Sequence, residues 1–297
     1  MATPAFLKWN YWHKAIPKPS YTGADIYLPA VPDNTIAWFT DQYTSKQNDP
    51  READYIIHPC LLRDPADIHK ELKLLSAKYR PFHKPVIVFT LSDYEGVYKS
   101  YKNLIILRTS AKKSLLRSNE FILPYVWESA QEPFQESGNT HRPVVGFCGL
   151  VSGYRRKLID LAVAYNRLDC RFILHDSFWG GKPHDEQIIA DFWGNMRSSQ
   201  FMIASRGAGN FSMRFYQAMS MGRIPVLVDT DMELPLSSLI DWKNLIVFEK
   251  NETDCVERIM EIHKAGNTAE MQRICYNTYH QFLSEKNFLQ KLLSSIA

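Results

Sequence analysis

Short apolar runs alternate with longer helical segments along the first half of the chain. Runs such as ADYIIHP and KPVIVFTLSD are bounded by Pro, Asp and Ser, and the segment PADIHKELKLLSAKY between them has the apolar spacing of a helix. The remaining strand-like runs in this half are ADIYL, TIAWF, LIILRTS and FILPYV. Strands that alternate with helices favour a parallel α/β sheet. We therefore predict a first α/β domain over residues 1–136.

The same alternation restarts after the polar, turn-rich segment ESAQEPFQESGNTHRP, which we interpret as a linker. The strand-like runs here are PVVGFCGL, CRFILHD, QFMIAS, IPVLVD and NLIVFE, with helical segments between most of them. This succession predicts an open, doubly wound sheet over residues 137–297. The final segment, AEMQRICYNTYHQFLSEKNFLQKLLSSI, is predicted to be one long helix that packs back on the first domain.

Composition narrows the classes of partner. The formal charge of the 297 residues is +3, and no long basic run is present, so we expect no nucleic acid partner. No apolar run approaches the length of a membrane span. The cysteines are scattered without CxxC spacing, which favours reduced thiols and a cytoplasmic location, in the host cytoplasm if the protein is viral. They are Cys60, Cys148, Cys170, Cys255 and Cys275.

A glycine-bearing turn follows the strand QFMIAS and has the features of an anion site. The strand is predicted to end at Ser205, and the loop Arg-Gly-Ala-Gly-Asn enters a helix at Phe211 or Ser212. Glycines allow close approach of a ligand, and a helix start presents unpaired N–H groups. Arg206 and Arg214 would add charge-assisted hydrogen bonds to a phosphate or diphosphate. The alternative is a strand-to-helix turn whose arginines pair with surface carboxylates.

A second basic turn is expected at the same edge of the sheet. The segment GFCGLVSGYRRKL places Gly149, Arg155 and Arg156 after the first strand of the second domain. Two such turns could hold a diphosphate between them, although either arginine could also be a solvated charge in the first turn of a helix. Neither turn matches GxGxxG or GxxxxGK[ST], so a dinucleotide-binding or P-loop site is not supported.

The longest motif resembles a known family. The stretch SRGAGNFSMRFYQAMSMGRIPVLVDTDMELPLSSLIDW is similar to the signature of the exostosin-type glycosyltransferases. Weaker similarity is found in READYIIHP, VGFCG and IILRTS, so the resemblance spans roughly residues 50–245. The chain is also similar in size and organisation to short soluble members of the family from large algal viruses or bacteria.

The resemblance implies a GT-B architecture: two Rossmann-like, doubly wound α/β domains facing a cleft. It implies a UDP-sugar donor in the C-terminal domain, a glycan acceptor in the N-terminal domain, and transfer with inversion. The similarity to viral forms suggests xylose as the sugar. The residues carried over to donor binding are Gly149, Arg155, Arg156, Ser205, Arg206, Gly207, Asn210, Phe211, Ser212, Arg214 and Gln217. Gln217 stands where the family usually has a Glu that is associated with ribose hydroxyls.

An inverting transfer needs a base, which we expect from the first domain. Asp93 is the first candidate because it follows an apolar strand, with Glu95 and His58 as alternatives; Asp93 could equally cap a turn, and His58 could be structural. The sequence Asp229-Thr230-Asp231 superficially matches a metal-binding Asp-x-Asp. Because arginines and a helix start can neutralise a diphosphate, we expect no required metal or cofactor, the UDP-sugar being a substrate.

Two other function classes remain open from the sequence. A non-catalytic glycan- or nucleotide-binding protein on a degenerate GT-B fold is compatible with Gln217. A nucleotide-binding enzyme of another doubly wound type would bind mononucleotides irrespective of an attached sugar.

Overall fold

Two parallel α/β sheets form the part of the chain that the structure describes. The structure is a computed structural model, and it describes residues 26–27, 49–62, 65–125, 129–130, 132–151, 153–182 and 185–296. Each sheet has five strands, and all strand pairs in both sheets are parallel. The predicted α/β class with two parallel sheets is confirmed.

The first sheet is built in chain order, so its described strands are wound in one direction, whereas the resemblance implied a doubly wound sheet. Its strands are β1 (Ile26–Tyr27), β2 (Tyr55–Leu62), β3 (Val86–Thr90), β4 (Leu104–Arg108) and β5 (Glu120–Ile122), and they lie in the order β1-β2-β3-β4-β5. Every residue of β3 is buried, because one face packs on helix α1 (Pro65–Tyr79) and the other on a second core. The predicted helix over these same residues is confirmed. The run TIAWF lies outside the described residues.

In the second sheet, the chain adds strands first on one side of the sheet's first strand and then on the other. Its strands are β6 (Val144–Leu150), β7 (Asp169–His175), β8 (Phe201–Ile203), β9 (Ile224–Val228) and β10 (Val247–Glu249), in the order β10-β9-β8-β6-β7. Since β6 lies between β7 and β8, the chain winds first to one side and then to the other. The carboxyl ends of β6 and β8 therefore flank a topological switch point, where open α/β sheets bind ligands. The predicted double winding of this domain is confirmed.

Seven α-helices follow α1 in the described part of the chain. They are α2 (Gly153–Ala164), α3 (Glu186–Arg197), α4 (Met213–Ser220), α5 (Trp242–Leu245), α6 (Glu252–Lys264), α7 (Thr268–Thr278) and α8 (Phe288–Ile296). Short 3-10 turns lie at Arg80–Phe82, Lys113–Leu115 and Phe178–Gly181. Side-chain caps begin two of the helices: Asp185 accepts hydrogen bonds at the start of α3, and Asn251 does so at the start of α6.

The prediction of one long C-terminal helix is wrong. Helix α7 passes into a π-helix over Tyr279–Leu283, and Ser284 then takes an extended conformation before α8 begins. The carbonyl of His280 accepts hydrogen bonds from Ser284 Oγ and from Asn287 Nδ2, at 3.1 and 2.6 Å. Polar side chains that bond to helix carbonyls in this way compete with the helical ladder.

The hydrophobic core is continuous between the two sheets. Leu289 and Leu292 of α8 belong to the same buried cluster as Ile57 and Phe89 of the first sheet. A domain boundary at residue 136 therefore stays a prediction. Within the described residues, none of the helices has both the length and the apolar character that a bilayer crossing requires.

Candidate functional site

The two predicted basic turns meet at the switch point of the second sheet. Arg155, in the first turn of α2, reaches across both strand ends. Its Nε donates to the carbonyl of Ser205 at 3.2 Å, and its Nη1 donates to the carbonyl of Leu150 at 2.9 Å. The structure thus brings the turn after β6 and the turn after β8 together through one buried guanidinium group.

Arg214 approaches the same turns from the first turn of α4. Its Nη2 donates to the carbonyl of Cys148 at 2.6 Å, and its guanidinium lies over the ring of Phe147, 4.4 Å from the centroid. Its Nε is buried without a hydrogen-bond partner. Burial, and then the nearby charge of Arg155, lower the pKa of Arg214 to about 9.

Both arginines are buried charges without a carboxylate partner. Each is 8% exposed, and neither forms an ion pair with an Asp or Glu of the described residues. A buried charge is costly unless an opposite charge or a full set of hydrogen bonds compensates it. Two such charges at the crevice between β6 and β8 are complementary to an anion carrying at least two negative charges.

Glycines make room for these guanidinium groups. Gly149 has φ of +141°, and a Cβ at this position would lie 2.6 Å from Nη2 of Arg214. A Cβ at Gly207 would lie 3.2 Å from Nη2 of Arg155. A side chain at either glycine would shift the guanidinium group that now lies beside it, and the positive φ of Gly149 also favours glycine there.

Carboxylates of the first sheet face the turn after β8. A Cβ at Gly209 would lie 2.6 Å from Oδ1 of Asp93, so this carboxylate sits directly against the loop. Arg206 forms an ion pair with Glu95, in which both side chains are largely buried, and it also donates to the carbonyl of Ala208 at 2.8 Å. The two acidic candidates are thus next to the candidate anion site, but Glu95 is engaged with Arg206.

Asp93 retains access to solvent. Partial burial raises the pKa of its carboxyl, against the opposing effects of a Gly209 backbone hydrogen bond and the charge of Arg206. A solvent-accessible carboxylate with a raised pKa has the character of a general base.

Sequence reasoning missed Arg108, which holds the loop that carries Asp93. Arg108 is 1% exposed, and its Nη1 donates to Glu120 at 2.8 Å. Its Nη2 donates to the carbonyls of Tyr94 and Gly96, at 2.8 and 3.0 Å. The available signal was an arginine at the end of an apolar strand, LIILR, with an acid at the start of the next strand.

Two residues predicted to bind the donor have other roles in the structure. Arg156 is exposed and pairs with Asp160 one turn along the same helix, at 3.6 Å, so its surface alternative is the one observed. Asn210 is 3% exposed, and its side-chain amide donates to three backbone carbonyls, at distances of 3.0, 3.1 and 3.1 Å. Its side-chain N–H groups are engaged by the protein in the absence of a ligand, and a contact of Asn210 with the donor stays a prediction.

The other predicted donor residues line the same loop and helix. Ser205 contributes the carbonyl that Arg155 binds, and Phe211 stacks on Tyr125, with ring centroids 5.1 Å apart. Ser212 precedes α4 without a side-chain capping bond, and Gln217 is buried on that helix. Their contacts with a donor stay predictions.

His58 does not lie at the crevice. It sits in the interior of β2, four residues before the strand ends, and its Nδ1 is 3.3 Å from the hydroxyl of Tyr79 on α1. Burial, followed by the charge of Lys78, lowers the pKa of His58 to about 4. The structure corrects its candidacy as the base, because a buried imidazole under α1 cannot reach an acceptor at the sheet edge.

The Asp-x-Asp sequence serves the backbone. Asp229 Oδ1 accepts from the N–H of Met232 at 3.1 Å. Asp231 accepts from the N–H of Ser114 at 3.1 Å and from its hydroxyl at 2.5 Å, one bond to each carboxylate oxygen. Among the described residues, no three His, Cys, Asp or Glu side chains come close enough to hold a metal ion.

No family model and no curated protein matches the chain. Among solved structures it is similar to TarM, at 14% identity and a TM-score of 0.41, over 86% of this chain and 51% of TarM. A second similar structure is an S. aureus TarM mutant in complex with fondaparinux, α-GlcNAc-glycerol and UDP. Its sequence identity is 12% and its TM-score is 0.38, over 70% of this chain and 55% of the mutant. The glycosyltransferase SnogD from Streptomyces nogalater has a sequence identity of 12% and a TM-score of 0.36, over 89% of this chain and 85% of SnogD. The chain spans about half the length of both TarM structures, and these values are too low to assign it to a family.

Proposed function

We propose that this protein is an inverting glycosyltransferase of exostosin type with a GT-B architecture. It would transfer a sugar from a UDP-sugar to a hydroxyl group of a glycan acceptor. The observation that carries the proposal is the pair of buried arginines, Arg155 and Arg214, at a switch point that faces Asp93 of the other sheet. The resemblance of the surrounding motif to the exostosin signature supplies the reaction class.

The arginine pair suits the leaving group of this reaction. As the bond between the anomeric carbon and the diphosphate breaks, negative charge accumulates on the diphosphate. Donors already in place stabilise that charge more in the transition state than in the ground state, and they act most strongly in a site shielded from water. The proposal therefore needs no divalent ion.

Asp93 would be the base. An acceptor oxygen forms its bond to the anomeric carbon on the face opposite the diphosphate, its proton passes to Asp93, and the electron pair of the broken bond leaves with UDP. The raised pKa of Asp93 brings it nearer to the working pH, which favours proton transfer.

Arg206 has a conditional part in the proposed site. Its Nη2 is engaged by Glu95 and by the carbonyl of Ala208, whereas its Nε is buried without a hydrogen-bond partner. A phosphate oxygen would bind the remaining N–H groups of Arg206 or replace Glu95 at Nη2. Xylose as the transferred sugar rests on the similarity to short viral enzymes alone. A cytoplasmic location belongs to the same proposal and is supported by the free thiols of Cys148, Cys170, Cys255 and Cys275.

A specific observation favours a second candidate. Because Glu95 occupies Arg206 and Gln217 replaces the usual Glu, the chain could be a glycan- or nucleotide-binding protein on a degenerate GT-B fold. Such a protein would bind a donor without transferring its sugar.

Ligand-detected NMR with UDP, GDP and a panel of UDP-sugars, with and without EDTA, separates these candidates. The proposal predicts selective binding of UDP compounds that survives EDTA. Incubation of the bound sugar with glycan acceptors should then give a product of inverted anomeric configuration. Binding without transfer to any acceptor in the panel would favour the degenerate form. No binding of any nucleotide would contradict the transferase and leave a glycan-binding protein as the candidate.

A further inference from the structure

The loop after β8 is bonded to the first sheet through Asn210. The backbone N–H of Asn210 donates to Ser110 Oγ at 2.8 Å, and its Nδ2 donates to the carbonyl of Ala111 at 3.0 Å. Both partners follow β4 of the first sheet. The same amide nitrogen lies 3.1 Å from the carbonyls of Thr230 and Asp231, so one side chain joins three segments.

Asp231 makes a second connection beside the first. It has φ of +62°, unusual for a residue other than glycine, and its carbonyl accepts from the N–H of Lys113 at 2.8 Å. Its carboxylate accepts from the N–H and the hydroxyl of Ser114, the middle residue of the 3-10 turn. Lys113 adds an ion pair to Glu233 at 3.0 Å. We call Ser110, Ser114, Asn210 and Asp231 the interdomain clamp.

The interdomain clamp also reaches Asp93. The hydroxyl of Ser110, which accepts from Asn210, donates to the backbone carbonyl of Asp93 over a long 3.4 Å. One residue earlier on the loop, a Cβ at Gly209 would lie 3.0 Å from the Cα of Asp93. The two backbones are therefore in direct contact, and small displacements of the loop must move Asp93 or separate it from the donor turn.

We propose that the interdomain clamp positions Asp93 against the turn that carries Arg206, so that the distance between the carboxylate and the donor site is set before any ligand binds. Asn210 is then a positioning residue. The clamp itself does not depend on the proposed function; only the part of Asp93 as base rests on it. A cavity of about 10 Å³ beside Asn210, also lined by Thr109 and Glu233, leaves space for about one water.

The substitution Asn210→Asp tests the clamp with little change in shape. It replaces an amide that donates to three carbonyls by a carboxylate that would repel them. Asn195→Asp is the matched control, because Asn195 is also buried in the second domain and its Nδ2 donates to a carbonyl, that of Arg171, at 2.7 Å. Ser110→Ala is a second variant in case Asn210→Asp fails to fold.

Amide hydrogen exchange gives the first readout. In Asn210→Asp or Ser110→Ala, the amides of Lys113 and Ser114 should exchange at least about tenfold faster, while the amides of β6 keep their protection. Asn195→Asp should leave Lys113 and Ser114 unchanged. Equal protection of these two amides in all variants would overturn the clamp.

The titration of Asp93, followed by NMR of 13C-labelled carboxyl groups, gives the second readout. Burial is the largest influence on this carboxyl, so a loosened clamp should let its pKa fall towards the ordinary Asp value, and Asn195→Asp should not. Faster exchange with an unchanged Asp93 titration would overturn the positioning role.

Activity gives a third readout. If the wild type transfers sugar, Asn210→Asp should lower kcat about 100-fold, the typical effect of a misplacement by 1 Å, with UDP affinity retained. A wild type that binds no nucleotide would contradict the proposed function, whereas the exchange and titration results would still decide the clamp.

Discussion

Arg214 is a charged residue at a position where the protein supplies it with no carboxylate. Its contacts are a carbonyl and the face of Phe147, and burial lowers its pKa to about 9. Such a residue costs folding free energy and is explained by a ligand that neutralises it. Replacing Arg214 by an apolar residue should therefore stabilise the ligand-free fold and weaken ligand binding.

Arg214→Met is predicted to raise the free energy of unfolding of the ligand-free protein by about 1 kcal/mol or more, because an apolar side chain of similar length removes an uncompensated buried charge. Urea denaturation measures this. Arg156→Met, at an exposed position on α2, should change stability by no more than about 0.5 kcal/mol. A loss of more than about 1 kcal/mol in Arg214→Met would show that Arg214 stabilises the fold.

His58 should make the fold sensitive to mild acid. Its pKa is about 4 in the folded protein, below the ordinary value of about 6.5, so the unfolded state takes up a proton first as the pH falls. Stability should fall between pH 6.5 and 4, with no contribution from this residue above that range. From about pH 7.5 to about pH 5 the loss is about 2 kcal/mol.

Urea denaturation at about pH 7.5 and about pH 5 compares the wild type with His58→Gln. The difference in unfolding free energy between the two pH values should shrink by about 2 kcal/mol in the variant. His141→Gln, which changes an exposed histidine, should keep the wild-type difference. An unchanged difference in His58→Gln would mean that folding does not lower the pKa of this imidazole.

Among single residues, the sequence could indicate Arg155 and Arg214 as candidate anion-binding residues, because each follows an apolar strand and nearby glycines. It could not separate Arg155 from Arg156. Successive helix residues point about 100° apart, so one faces the crevice and the other faces solvent, and only the packing of α2 decides which. Nor could it assign Asn210, whose partner Ser110 lies 100 residues away in the chain.

Two glycines of the second domain differ in whether the surrounding structure leaves space for a Cβ. Gly149 has a positive φ and no space for a Cβ, whereas a Cβ at Gly194, inside α3, would meet no neighbouring side chain or other segment within 4 Å. Gly149→Ala should displace Arg214 and weaken UDP binding at least tenfold, as measured by calorimetry. Gly194→Ala should leave binding unchanged and stabilise α3 by roughly 0.5–1 kcal/mol. Wild-type UDP affinity in Gly149→Ala would contradict the close fit of Arg214 under this turn.

Elements with strong periodicity were predictable, and those that depend on tertiary contacts were not. Helix α1 was predicted at its observed bounds because PADIHKELKLLSAKY has apolar residues at helical spacing, and Ile68, Leu72 and Leu75 among them are buried. The break between α7 and α8 was not predicted, because it depends on Ser284 and Asn287 bonding to a helix carbonyl rather than on a Gly or Pro.

In the whole molecule, the arrangement of the candidate site depends on how the two sheets are joined. Alternating runs predicted two parallel sheets, but they do not specify strand order, so the neighbouring ends of β6 and β8 come from the structure. The same holds for the interdomain clamp and for the contact between Asp93 and Gly209, which join segments distant in the chain. Candidate residues were therefore visible in the sequence, while their arrangement around one crevice was not.

We propose that Arg155 and Arg214 together bind the diphosphate of a nucleotide sugar. The most direct test is calorimetric titration of UDP, at constant ionic strength and with EDTA, into the wild type, Arg155→Met, Arg214→Met and Arg156→Met. Each buried arginine should contribute a charge-assisted hydrogen bond, so its loss should weaken binding roughly 10- to 100-fold, while Arg156→Met binds like the wild type. Undiminished UDP affinity in both Arg155→Met and Arg214→Met would contradict diphosphate binding by these two arginines.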